Sequence, residues 1–223
     1  QEVSSYFKIP HLPGYDPLNI KRYAELTSAL QDGKIAGAGY TSVALVPAGG
    51  EMTYSFLKMT GVKYLVYKNN DYDGKISWFF NYWKYPAQDF PVVFRDDKYT
   101  VIENKKSLPR SFFADYCLVE KDKQAIIDKM FVGEKTVVLE RGSKEDYTCE
   151  GGNIETLSYK ENEVIIKANS YKNSVLFLSD NFYPGWRAYI DGRETEIFRA
   201  NYTFRAIIVP EGNHKIVFEY KFI

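Results

Sequence analysis

The chain is poor in the residues that most often carry metal or redox chemistry: 223 positions hold two cysteines and two histidines. His11 and His214 stand at opposite ends, and neither neighbours a cysteine or an acidic cluster. A closed zinc site needs four converging N, S or O ligands; no spacing here supplies them, and no cofactor is implied. Net charge is also missing, with 29 basic residues against 29 acidic ones. That balance sets aside a nucleic-acid partner, because phosphate neutralisation calls for a basic excess. Long hydrophobic runs are lacking as well. The longest uncharged stretch, Ile35 to Gly50, contains Thr41, Ser42 and Pro47 and is too short and polar to cross about 30 Å of hydrocarbon. No charged start followed by an apolar block marks a signal peptide. Gly33, Gly37 and Gly39 lack the strand–turn–helix frame and the lysine of a phosphate loop, and there is no Gly-x-Ser-x-Gly elbow.

What is present describes a folded chain of one or two domains. Hydrophobic residues make up 45% and charged residues 26%, enough apolar material to offset chain entropy. Aromatics reach 17%, with nineteen Tyr, fifteen Phe and three Trp. Flat rings pack well on pleated sheets, so a β-rich core is the first reading; sugar stacking and membrane-interface contact are the others. The chain opens at Gln1 without a Met and stops at Phe222-Ile223 after a strand-like segment, which reads as a piece of something longer.

The expected fold class is α+β: an N-terminal mixed α/β domain over 1–141 with a small sheet, a linker over 142–153, and an all-β sandwich over 154–223. Asp16-Pro17 reads as an N-cap and first helical position, followed by apolar residues at helical spacing up to a stop at Gly33. A second helix runs from about Glu51 to Thr60 and ends at Gly61. A strand follows over Val62–Tyr67, and Asp96-Asp97 separates two strand-like runs as in a hairpin. Phe112 to Val119 reads as one strand, Asp122 caps a third helix that Gly133 closes, and Thr136–Leu139 is a strand. From Ile154 onward seven short strands alternate with turns, the spacing of a small sandwich. Asp191-Gly192 is the strongest two-residue hairpin signal, and Trp186, Ala188 and Ile190 alternate onto one face.

The segment Leu178-Ser179-Asp180-Asn181-Phe182-Tyr183-Pro184-Gly185-Trp186, with the Asp191-Gly192 hairpin, Arg199-Ala200-Asn201-Tyr202 and Pro210-Glu211-Gly212-Asn213-His214, resembles the C-terminal extracytoplasmic region of the YfhO family of bacterial polytopic membrane proteins. Earlier pieces, Gly14-Tyr15-Asp16-Pro17-Leu18, Gly61-Val62-Lys63-Tyr64-Leu65-Val66 and Leu108-Pro109-Arg110, follow the same order. The resemblance implies a module on the extracytoplasmic face of the cytoplasmic membrane, attached through flanking transmembrane helices absent from this chain. The family resembles polyprenyl-phosphate-sugar-dependent (GT-C type) glycosyltransferases whose catalytic acid lies elsewhere. The implied role is therefore non-catalytic, in contact with an envelope glycan or acceptor. The alternatives are a scaffold for protein assembly or for the membrane bundle, and a free-standing lectin-like protein.

The carboxylate pairs Asp71/Asp73, Asp96/Asp97 and Glu145/Asp146 lie in turn-like contexts and do not make the two-carboxyl cleft of a glycosidase. Candidate ligand contacts are Trp78, Tyr82 and Trp83, within the aromatic run Trp78 to Tyr85, and Tyr183, Arg199 and Asn201 in the blocks that resemble the family. The aromatic run reads first as core filling, with glycan or bilayer contact as the alternatives. Trp186 is a core anchor, and a buried arginine tied to backbone is the plain reading of Arg199. His214 reads as a structural histidine of a turn. Cys117 and Cys149 leave two readings open, a disulfide or a free Cys117 acting as a small apolar residue.

Overall fold

The computed structural model describes residues 14–15, 20–35, 43–44, 46–47, 49–69, 85–142 and 147–221. The chain divides into two units, Gln1–Pro109 and Arg110–Ile223. The expected aromatic contacts Trp78, Tyr82 and Trp83 lie outside the described residues, as do His11, the Asp16-Pro17 cap and the pairs Asp71/Asp73 and Glu145/Asp146.

In the first unit a two-stranded pair, β1 (Gly14–Tyr15) with β2 (Val43–Ala44), accompanies helices α1 (Lys21–Ala29) and α2 (Glu51–Met59). Helix α1 buries Tyr23, Leu26 and Ala29 and stops at Gly33, whose φ of 78° lets its N–H reach the Ala29 carbonyl at 2.7 Å. Helix α2 buries Phe56, Leu57 and Met59, with Glu51 in its first turn and Lys58 in its last, as the helix dipole favours. Its end is a Schellman motif. Gly61, at φ 72°, donates to Lys58, Val62 donates to Leu57, and Val62 packs on the cluster that contains Leu57.

The antiparallel sheet order is β3–β5–β4, from β3 (Tyr64–Lys68), β4 (Val92–Arg95) and β5 (Tyr99–Glu103). The β4–β5 turn is closed by Asp96, whose Oδ1 accepts from the N–H groups of Lys98 and Tyr99 at 2.8 and 2.6 Å. Those two donors hold its carboxyl below the usual range, so Asp96 serves the turn. One face of this sheet joins Leu57, Tyr67, Tyr85, Phe90 and Ile102 in a core. Tyr85, the one described residue of the aromatic run, packs there against Phe90 at 4.8 Å between centroids. Alternation normally puts polar residues on the other face. Here that face carries Tyr64, Val66 and Tyr99, and β4 exposes Val92, Val93 and Phe94.

The second unit is a two-sheet sandwich. Its strands are β6 (Ser111–Phe113), β7 (Tyr116–Val119), β8 (Thr136–Leu139), β9 (Asn153–Lys160), β10 (Glu163–Ser170), β11 (Ser174–Asn181), β12 (Trp186–Ile190), β13 (Arg193–Thr195), β14 (Phe198–Ala200), β15 (Phe204–Val209) and β16 (Gly212–Tyr220). One sheet has the order β13–β12–β16–β10–β9 and the other β6–β11–β15–β14–β8–β7. Between them Val164, Ile166 and Ala168 of β10 meet Leu176 and Leu178 of β11, Ile207 and Val209 of β15, and Ile216 and Phe218 of β16. The opposite face of the six-stranded sheet is buried too, with the Phe177 ring 4.9 Å from that of Phe112 and edge-on to that of Phe204 at 5.7 Å. That accounts for the unbroken apolar run Val175–Leu178. The α+β, mostly β class is as expected.

The strand expected over Phe112–Val119 is two strands broken at Ala114-Asp115, and they form the opposite edges of the six-stranded sheet. Ala114 donates to the Val175 carbonyl and Asp115 to that of Lys135, so this one segment draws the two edges together. β7 and β8 are parallel and joined by helix α3 (Lys123–Lys129), capped by Asp122 accepting from Ala125 N–H at 2.8 Å. The stretch expected to link two domains, 142–153, lies inside the second unit rather than at its border. Thr148 bridges to Ser174 in parallel, Ser174 Oγ donates to the Glu150 carbonyl at 2.6 Å, and Cys149 is disulfide-bonded to Cys117 of β7 with Cα atoms 6.0 Å apart. Its glycines serve close packing: a Cβ at Gly152 would fall 1.7 Å from the Asn169 carbonyl oxygen.

Candidate functional site

The hairpin Asp191-Gly192 joins β12 to β13 with φ of 51° and 81°, the two positive values that a type I′ turn requires. His214 fastens it: Nδ1 lies 2.7 Å from Asp191 Oδ2 and Nε2 lies 3.3 Å from the Glu211 carbonyl. Hydrogen bonding from His214 and from the Lys215 N–H holds the Asp191 carboxyl below its ordinary range. Away from that turn, where β12 begins and β13 ends, Arg187 and Glu194 join Phe182 and Tyr183 of the β11–β12 turn in lining an open cleft of about 240 Å³.

Each wall of the cleft has a local cause. The turn Tyr183-Pro184-Gly185 needs glycine, since Gly185 has φ 96° and a Cβ there would meet the Tyr220 ring at 2.7 Å. That turn leaves Tyr183 half exposed while Trp186, at the start of β12, faces inward. Arg187 on β12 and Glu194 on β13 meet across the hairpin, with Nη1 3.3 Å from both carboxylate oxygens. Arg141, beyond the end of β8, pairs with Glu196. All four charged side chains are at least half exposed. Such pairs add little to stability, but guanidinium donors and carboxylate lone pairs beyond those used within the pairs remain accessible.

Behind the cleft lies a polar hub centred on the buried Arg205. Asp180 accepts from Arg110 Nη2 at 2.6 Å, from Arg205 Nη2 at 2.8 Å and from the Tyr159 hydroxyl. The Arg205 guanidinium, 2% exposed, stacks on Trp186 at 3.8 Å from the ring centroid and has Phe218 at 5.6 Å. Burial pulls the Arg205 pKa down to about 10 against the pull of Asp180. Burial, with the Asp180 charge beside it, pushes the Tyr159 hydroxyl well above its usual value. The hub ties β9 of one sheet to β11 and β15 of the other.

Of the sequence-derived candidates, Tyr183 lines the cleft. Arg199 sits beside it, with its guanidinium 4.6 Å from the Phe182 ring and 3.7 Å from Glu140. Asn201 is elsewhere and fully buried. Its Oδ1 accepts from Val138 N–H at 2.7 Å and its Nδ2 donates to the Thr136 carbonyl at 2.9 Å, so the side chain acts as a length of strand for β8. Arg141, Arg187, Glu194 and Glu196 were not singled out from the sequence. The hairpin register sets Glu194 opposite Tyr189, so Arg187 reaches it only diagonally across the two strands; nothing local brings Arg141 to Glu196.

A two-sheet sandwich with an open cleft at the turn end is the architecture of a β-sandwich module. Residues 144–221 match the family described as bacterial membrane protein YfhO. No curated protein and no solved structure matches the chain. No helix among the described residues is long and apolar enough to cross a membrane.

Proposed function

We propose that the chain is a non-catalytic extracytoplasmic module of a YfhO-like membrane protein and that its sandwich contacts a glycan or glycan acceptor near a membrane-embedded site of sugar transfer. The observation that carries this reading is the cleft at the Tyr183 turn, where exposed ring surface and paired polar groups lie together in an open site. Sugar rings offer an apolar face and a belt of hydroxyls, and those two features meet their complements there. The family match supports the membrane setting. Titration of the chain with envelope polysaccharides, followed by tryptophan fluorescence, tests the reading. Trp186 in the cleft should respond, and Tyr183→Ala should weaken the response. A flat titration across a broad panel overturns it.

A second reading, assembly with another protein or with the membrane bundle, is favoured by one observation. The three-stranded sheet of the first unit exposes Tyr64, Val66 and Phe94 at 52%, 65% and 52%, and contiguous apolar exposure of that kind marks interaction surfaces. Val66→Lys together with Phe94→Lys should abolish co-purification with the membrane partner while leaving glycan titrations unchanged.

A further inference from the structure

We propose that the cleft at the Tyr183 turn takes a neutral saccharide rather than an anionic one, an inference that rests on the glycan reading above. The charged groups lining it come in matched pairs, Arg141 with Glu196 and Arg187 with Glu194. A phosphate or uronate is recognised by a guanidinium free to offer its fork of donors. Here each guanidinium already faces a carboxylate, and an anionic ligand would meet two negative groups along with the two positive ones. A neutral ring gains instead from geometry. At Arg187 and Glu194 a donor and an acceptor sit side by side, 3.3 Å apart. Neighbouring sugar hydroxyls need that arrangement, since each both donates and accepts.

The apolar side of the cleft fits the same ligand. Tyr183 offers an exposed ring, and the Trp186 indole is already fixed from behind by Arg205 at 3.8 Å. A platform ordered before the ligand arrives loses less entropy on binding. Weak recognition by a sugar, which lacks charge, depends on such ordering.

The test is binding of the full chain to neutral trisaccharides (chitotriose, maltotriose, mannotriose) and to anionic polymers (oligogalacturonate, poly(glycerol phosphate)). Affinity is read by calorimetry at about 50 mM and about 500 mM NaCl, a range over which surface charge is strongly screened. At least one neutral trisaccharide should bind with an affinity that changes less than about twofold between the two salts. Tyr183→Ala, and separately the charge-balanced double variant Arg187→Ala/Glu194→Ala, should each weaken it by roughly tenfold or more. Anionic polymers binding while every neutral sugar fails, with affinity falling steeply in salt, would overturn the ligand class but leave the glycan reading standing. Neutral binding untouched by both variants would place the ligand elsewhere and overturn the site. No binding by any saccharide would overturn the glycan reading and this inference together. The wild-type salt series stands whatever the variants do, and both variants change exposed side chains, so unchanged thermal midpoints certify their folding.

Discussion

The guanidinium of Arg205 is shared between two neighbours of opposite kind: Nη2 donates to Asp180 at 2.8 Å, and its plane lies 3.8 Å from the Trp186 ring centroid. A charge this deeply buried needs its counter-ion, since desolvation alone would make it unfavourable. The indole it supports forms part of the cleft. The same cation thus ties the polar hub between the sheets to the surface that meets solvent.

Removing Asp180 strands that cation. Asp180→Ala should cost about 3–5 kcal/mol in urea unfolding, the range for breaking one partner out of a buried ion pair. Adding Arg205→Met should recover much of the loss, because the uncompensated charge goes with it. A double variant as unstable as Asp180→Ala alone would mean that the hub works by packing and not by charge. The indole should also lose its backing, so Trp186 emission is expected to shift in Arg205→Met.

Asn201 holds β8 to the sheet through both ends of its amide while its backbone sits at φ 43°. In Asn201→Ala a buried N–H and a buried carbonyl lose their partners, and alanine is strained at that φ. The expected loss is roughly 3 kcal/mol, measured as a shift in the urea midpoint with unchanged slope. A loss below about half a kcal/mol, the ordinary scale of surface changes, would contradict this role.

Glu120 gives a pH dependence of definite sign. Its carboxylate, hydrogen-bonded first by Lys129 and then by the N–H groups of Asp122 and Lys121, titrates at about 2 instead of 4.5. A carboxyl depressed in the folded state contributes stability that is present above 4.5 and disappears as pH falls toward about 2. Glu120→Gln should therefore begin with a lower urea midpoint at neutral pH and lose less of it over that acid window. Parallel curves for the two proteins would show that the interaction makes no contribution to stability.

The Cys117–Cys149 bridge closes a loop of 32 residues. By chain entropy a loop of that length is worth roughly 4 kcal/mol. Cys117→Ser/Cys149→Ser, or reduction of the native chain, should lower the thermal midpoint of the second unit accordingly. Equal midpoints for oxidised and reduced protein would remove the bridge from the stability of this fold.

How much of this was legible in the sequence depended on range. Asp191-Gly192, the Asp122 cap and Gly61 each act on residues within one turn, and each could be read directly. The strands from Ile154 onward were mostly legible for the same reason, since alternation and turns are local, though the seven expected are eight: two short strands, Arg193–Thr195 and Phe198–Ala200, stand where one was read. The closing segment was not, because Phe112–Val119 reads as one strand, and only its pairing to two distant strands breaks it at Ala114-Asp115. The hub was hidden for a similar reason. Arg110, Tyr159, Asp180 and Arg205 come from four separate stretches, and nothing near any of them announces the others. Asn201 was read as a candidate ligand contact, yet its amide completes a strand. The glycines of 142–153 suggested a linker, whereas Gly152 is required by contact with Asn169.

The path of Ser111–Val119 sets where the molecule can be cut. A recombinant piece begun at residue 142, where the chain's composition changes, would lack β6, β7 and β8. The flanks of β11 and β14 would then be left as bare peptide ribbons, and the amide of Asn201 would have nothing to hold. Such ribbons recruit one another into polymers. A monodisperse preparation of the C-terminal module should therefore demand a start at or upstream of Arg110.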